Sequence, residues 1–176
     1  MNYQIDPAHS AAQFKVRHMG IANIKGEFDE VSGNVTFDPA NPSQSSIDVT
    51  INAASISTRA AKRDEHLKAP DFLNVAEYPH ITFKSKSVSA AGNGAYKVIG
   101  DLTIRGVSKE VALSVEGLSE EVKDPWGMMR RGAEAKTRIN RTDFGLNFNA
   151  PLEGGGMMLG DDVDIMIDLE MTRKPE

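Results

Sequence analysis

An all-β, antiparallel fold is what this sequence predicts, and three observations predict it. Apolar residues recur at every second position through most of the 176-residue chain, the spacing of a half-buried strand. Turn signals punctuate the runs, among them Gly20, Asp29-Glu30, Asp38-Pro39-Ala40-Asn41-Pro42 and Arg105-Gly106. Helical spacing is confined to the neighbourhood of residue 62. Eight or nine strands result, compatible with a barrel or a sandwich. Their regular up-and-down spacing favours an eight-stranded antiparallel β-barrel with a short helical insert, because closure leaves no unpaired edge strand. The length fits one domain over residues 1–176, large enough to bury a substantial core.

The elements follow in order. Ala12, Phe14, Val16 and His18 point one way along the first clear strand, with Lys15 and Arg17 opposed. Ile24, Gly26 and Phe28 form the next run, then Val31, Gly33, Val35 and Phe37, then Ile47, Val49, Ile51 and Ala53. Ile81 and Phe83 restart the alternation after the insert, followed by Tyr96, Val98, Gly100, Leu102 and Ile104, and by Val111, Leu113 and Val115. Glu116 to Arg131 reads as a long loop holding the single tryptophan, Trp126. Ala133, Ala135, Thr137 and Ile139 come next. The last strand is the most regular, with Val163, Ile165, Ile167, Leu169 and Met171 on one face and acids on the other.

The insert, Arg63 to Ser85, is where alternation gives way to a compact, turn-rich stretch. Ser57 or Thr58 is suited to cap a short helix, Asp64 and Lys68 to pair one turn apart, and Pro70 to end it. Such a segment between two runs of strands reads as a plug or flap over them. Small residues at inward positions (Ala12, Gly33, Ala53, Ser85, Gly100, Ala133, Ala135 and Thr137) argue for an unfilled interior, since eight tilted strands enclose just enough room for side chains or one small ligand. Large residues opposite them would fill it instead, or Gly33 and Gly100 would mark bulges.

Composition narrows the function classes. A net charge of −5 with scattered basic residues disfavours a nucleic-acid partner, which needs clustered Lys and Arg. The absence of cysteine excludes disulfides and thiolate metal sites. No run is long enough to span a bilayer as a helix. The first residues lack the basic and apolar regions of a signal peptide, so a cytoplasmic location is expected, or a periplasmic one for a processed chain. His9, His18, His66 and His80 are dispersed, and no metal motif joins them. The acids Asp161, Asp162, Asp164, Asp168 and Glu170 fit a solvated strand face better than a calcium loop. Gly154-Gly155-Gly156 lacks a phosphate-loop context. No nucleophile beside a base is evident, and no cofactor is expected. Met128, Met129, Met157 and Met158, with Trp126, Phe144 and Phe148, make loops greasier than solvent would favour, as at a ligand mouth, a lid or a partner surface.

Several motifs carry a resemblance. Arg63, Asp64, His66-Leu67, Asp71-Phe72, Tyr78-Pro79 and Thr82-Phe83-Lys84-Ser85 resemble the signature of the YceI-like family. Tyr3 to Ser10, Val16 to Gly20, Gly26-Glu27-Phe28, Gly100 to Val107, Ile139 to Gly145 and Gly160 to Val163 extend the likeness over nearly all of Tyr3 to Arg173. The resemblance implies a lipocalin-like barrel with a helical insert that binds a polyisoprenoid or similar amphiphile and is not a catalyst. On that reading Phe14, Val16, Phe28, Phe83, Leu102, Trp126, Met128 and Phe144 line or gate the ligand site, and Arg59, Lys62, Arg130 or Arg131 meets the head group. Burial of about 0.8 kcal/mol per methylene would give affinity without a polar constellation. The alternatives are an enzyme acting on a lipid or isoprenoid through Asp143, Arg141 and His66, and a protein-interaction or stress-response module whose apolar loops serve a partner or, as a homodimer, a second copy of the chain. Trp126, Met128 and Met129 discriminate: inward they serve a ligand, outward an interface.

Overall fold

Proline has no N–H to give to a strand ladder, and at Pro7 the first strand breaks into a single 3-10 turn, Pro7–His9. A computed structural model describes residues Met1–Glu176, and this break separates β1 (Asn2–Ile5) from β2 (Ala11–His18). Asp29-Glu30 divides β3 (Ala22–Phe28) from β4 (Val31–Thr36) in the same way. The 3-10 turn Ala53–Ser55 divides β5 (Ser46–Asn52) from β6 (Ile56–Ser57). The helix α1 (Ala61–Lys68) follows, then β7 (His80–Gly92), β8 (Ala95–Ile104), β9 (Val107–Glu116), β10 (Val122–Lys123), β11 (Met129–Asn140) and β12 (Leu159–Arg173).

The divided strands act as single staves, because β1 pairs with β4 while β2 pairs with β3, and β4 pairs with β5 while β3 pairs with β6. Eight staves therefore close an antiparallel barrel. Its order is β12, β1/β2, β3/β4, β5/β6, β7, β8, β9, β11 and back to β12. The seam is the β11–β12 ladder, unbroken from Met129↔Arg173 to Asn140↔Asp162. Beyond the wall, β10 makes only a short hairpin with β11, inside the stretch expected to be loop. Alternation fixes the facing of each stave: Ile165 and Ile167 line the interior, whereas Asp162 and Asp168 are exposed on the other face.

The insert closes one end, by a different set of bonds from the one expected. Ala60 occupies the N-cap and makes no side-chain cap bond. Instead Asp64 reaches back, accepting from the Thr58 backbone N–H at 2.8 Å and from its hydroxyl at 2.5 Å. Arg63 completes the loop by donating Nε to Thr58 Oγ1 at 2.7 Å. Lys68 lies 3.7 Å from Glu65 rather than beside Asp64. Arg105, on the turn between β8 and β9, clips the far side of the plug by donating to the carbonyls of Pro70, at 2.5 Å, and Phe72. Tyr78 lies against the same turn: a Cβ on Gly106 would come 2.7 Å from its ring, and Gly106 sits at φ +71°, so glycine is needed there twice over.

Candidate functional site

The lumen beneath the plug is lined by side chains that alternation sends inward from every stave. Its upper cavity measures about 170 Å³, and 22 of the 26 residues bordering it are hydrophobic. Leu67, Phe72 and Leu73 form its ceiling from the insert, and Ala12, Val163 and Ile165 belong to its wall. A lower cavity of about 70 Å³ continues toward the chain termini, bordered by Phe37, Val98, Ala133, Ala135 and Met171 among others. Val49, Phe83, Leu113 and Ile167 border both.

Glycines keep the upper cavity clear. Phe14 on β2 stands directly opposite Gly26 on β3. A Cβ on Gly26 would lie 2.5 Å from Phe14 Cζ and 2.8 Å from Cε1, far inside the roughly 3.5–4 Å of an ordinary carbon contact. The ring thus occupies the space a side chain would take and stays along the wall, 5.7 Å from the Phe28 ring. Phe83 repeats the arrangement on β7, its Cζ 2.6 Å from where a Gly100 Cβ would stand. Gly100 faces Ser85, where the β7–β8 register shifts between Ser85 and Ser87.

An arginine from β11 or its continuation stands at each end of the lumen. Arg141 is 4% exposed and borders the upper cavity. Its Nε donates to the Gly160 carbonyl at 2.8 Å, and its Nη1 to the carbonyls of Leu146 and, at 2.9 Å, Phe148. Nη2 is buried without a hydrogen bond, 3.7 Å from the exposed Asp161 carboxylate. Burial pushes the guanidinium pKa down, with Asp161 opposing. At the other end Arg131 shares the inward side of β11 with Ala133 and Ala135, and its guanidinium carbon lies 5.2 Å from the centre of the Phe37 ring. Its Nε and Nη1 are buried without a hydrogen bond.

Of the expected lining residues, Phe14, Val16, Phe28, Phe83 and Leu102 border the upper cavity. Three others do not. Trp126 is 81% exposed on the β10–β11 turn, which Asp124 organises by accepting from the Trp126 and Met128 backbone N–H groups at 2.8 and 2.9 Å. Met128 borders an outer groove beside Tyr3 and Arg173. Phe144, at 1% exposure, packs into the hydrophobic core from the turn Arg141–Phe144 and borders neither cavity.

The cations also sort differently from expectation. Arg130 points away from the lumen, and its charge is already met by three carboxylates, Asp124 at 2.6 Å, Asp6 at 2.7 Å and Glu170 at 2.8 Å. Arg59 lies in an outer groove with Lys25 and Lys136, and Lys62 is exposed on α1. Among the suggested catalytic groups, His66 is bound to Asp71 at 2.9 Å and stacked edge-on to Phe72 and Phe148, Asp143 is exposed, and Arg141 holds backbone carbonyls.

Asp6, His9 and Glu170 bring three potential metal-ligand atoms within 4.8 Å of one another. Arg130 Nη1 already occupies that space, hydrogen-bonded to both acids. Its bond to Asp6, with one from His9, holds the Asp6 carboxyl down to about 2. The cluster is an ion-pair network tying the N-terminal segment to β11 and β12.

The family model for the YceI-like domain matches residues 3–171. The chain belongs to the YceI-like family. Among relatives of this YceI-like domain, a UPF0312 protein of Photorhabdus laumondii is 39% identical over 175 residues, which cover 98% of this chain and 87% of the relative. A UPF0312 protein of Ectopseudomonas mendocina is 41% identical over 145 residues, 81% of this chain and 75% of the relative. Among solved structures, BcnA of Burkholderia cenocepacia superposes with a TM-score of 0.82 at 25% identity, covering 94% of this chain and 98% of BcnA. A polyisoprenoid-binding domain from Saccharophagus degradans shares the fold of this YceI-like domain, with a TM-score of 0.69 at 16% identity and 98% of each chain covered.

Proposed function

We propose that this YceI-like domain holds the hydrocarbon chain of a hydrophobic or amphiphilic molecule, a polyisoprenoid or similar lipid, inside its barrel for carriage or storage. The observation that carries the reading is the apolar lumen, kept clear along β2 and β3 where Phe14 is seated over Gly26. Burial there contributes about 0.8 kcal/mol per methylene, so affinity needs no polar group in the cavity wall. Family membership and the described role of the Saccharophagus degradans domain support a binding protein rather than a catalyst. At 170 Å³ the upper cavity lies below the roughly 300–1,000 Å³ of most ligand pockets. It takes about six water-sized groups at roughly 30 Å³ each, so a longer chain enters only by displacing side chains.

The test is solvent extraction of the purified protein followed by mass spectrometry, with uptake of prenyl alcohols by the extracted protein as a second arm. Recovery of prenyl or acyl chains in about stoichiometric amount is expected. Recovery of buffer components alone, together with no uptake, would sink the reading.

One observation favours a second role beside the first. Trp126 and Val122 are both exposed on the β10–β11 hairpin, a placement suited to a partner or a second copy. Light scattering on Trp126→Ser against the unchanged protein tests it, and a strict monomer in both cases removes the self-association reading.

A further inference from the structure

We infer that Phe83 sets the length of chain the lumen accepts, as the floor of the upper cavity and the roof of the lower one; this rests on the lumen being a chain-binding site. Only four residues border both cavities, and they come from four staves: Val49 from β5, Phe83 from β7, Leu113 from β9 and Ile167 from β12. They form a ring of apolar side chains across the barrel. Phe83 is the only aromatic among them, and it is 6% exposed.

Its position is dictated from below. The Phe83 ring lies over Gly100, and any Cβ there would meet Phe83 Cζ at 2.6 Å, the Lys84 carbonyl at 2.4 Å and Ser85 Cα at 2.8 Å. The last two are backbone atoms that cannot step aside, so this position has to be glycine. The ring that takes the vacated space is thereby fixed between the two cavities, at the level of the β7–β8 irregularity. Below it the space does not end. The lower cavity, 16 of whose 18 bordering residues are hydrophobic, could hold about two further water-sized groups at roughly 30 Å³ each.

The device discriminates by length. A chain end descending from the plug gains about fourfold in affinity per buried methylene until it meets Phe83. Longer chains gain nothing more unless the ring is displaced.

The experiment uses the full-length protein, cleared of lipid on a hydrophobic resin, and a series of straight-chain 1-alkanols from hexanol to octadecanol, with affinity measured by competition in native mass spectrometry. The unchanged protein is expected to gain affinity with each carbon and then level off. In Phe83→Ala the levelling-off moves to longer alcohols, and Phe83→Leu moves it the same way by less. Adding Ala133→Leu to Phe83→Ala fills the lower cavity and moves it back, which a loosened barrel would not reproduce; melting curves confirm that each variant is folded. A levelling-off at the same length in the unchanged protein and in both folded Phe83 variants overturns the inference, as does continued gain to octadecanol in the unchanged protein. If prenyl alcohols bind while chain length has no effect in any variant, Phe83 alone is refuted. If no alkanol or prenyl alcohol binds, the chain-binding reading itself fails.

Discussion

Replacing Gly26 by alanine should weaken binding of a chain in the lumen more than tenfold while leaving the fold in place. The new methyl group would sit 2.5 Å from Phe14 Cζ and 2.8 Å from Thr58 Cγ2. An ordinary carbon contact is about 3.5–4 Å, so the ring tip must retreat by about 1 Å, and the upper cavity is the free space available to it. A phenyl edge advanced that far excludes on the order of two methylenes of bound chain. At about 0.8 kcal/mol each, binding weakens by about 1.6 kcal/mol, or roughly fifteenfold.

Stability moves much less, because two effects oppose each other. Overpacking costs about 1–3 kcal/mol, less here because a cavity receives the ring. Exchanging glycine for alanine within a strand returns about 0.5–1 kcal/mol. The melting temperature is therefore expected to fall by a few degrees at most while alkanol affinity falls more than tenfold. Gly26→Ala protein that binds alkanols as tightly as the unchanged protein would refute the claim that this glycine holds the lumen open.

Three other outcomes are expected. Because Arg130 holds the Asp6 carboxyl down to about 2, against 3.8 ordinarily, the pair's stabilisation is complete above about pH 4 and is lost as pH falls toward 2. Asp6→Asn removes at most about 2 kcal/mol at neutral pH and flattens the acid limb of the pH–stability curve; an unchanged limb would count against the network. Arg105→Ala removes both bonds from the β8–β9 turn to the plug, and it should accelerate ligand exchange several-fold and amide hydrogen exchange over residues 66–74; unaltered rates would show that the plug is held elsewhere. The fluorescence of Trp126, 81% exposed, should show the red-shifted emission of a hydrated indole and not respond to alkanol binding. A blue shift on loading would return Trp126 to the ligand site.

Alternation made the barrel legible, since period 2 specifies both strand and facing once a turn is located. Gly20 marks the first hairpin, and folding the chain about it already brings Phe14 opposite Gly26, so the seated ring was within reach of the sequence. The inward arginine was too: continuing the series Ala133, Ala135, Thr137, Ile139 by one step reaches Arg141. Other errors had no local remedy. The partners of Arg130 lie at Asp6, Asp124 and Glu170, and nothing near residue 130 announces the two remote ones. Trp126 reads as a gate by composition, yet its direction is set by Asp124 capping a turn outside the barrel wall. The cap expected at Ser57 or Thr58 does not form because the helix starts at Ala61, and the Thr58 hydroxyl is taken up by Asp64 and Arg63 instead.

The β11–β12 seam has a consequence for how the protein comes into being. Its closing strand, Leu159–Arg173, follows every other stave in sequence, and it must pair with Ala11–His18 on one side and Met129–Asn140 on the other. Until then the nascent sheet is an open trough with two raw edges and its oily face bare. Pairings this remote in sequence form slowly. The trough stage is therefore when the chain is most exposed to aggregation, and when a lipid could be laid in from the side rather than threaded past the plug.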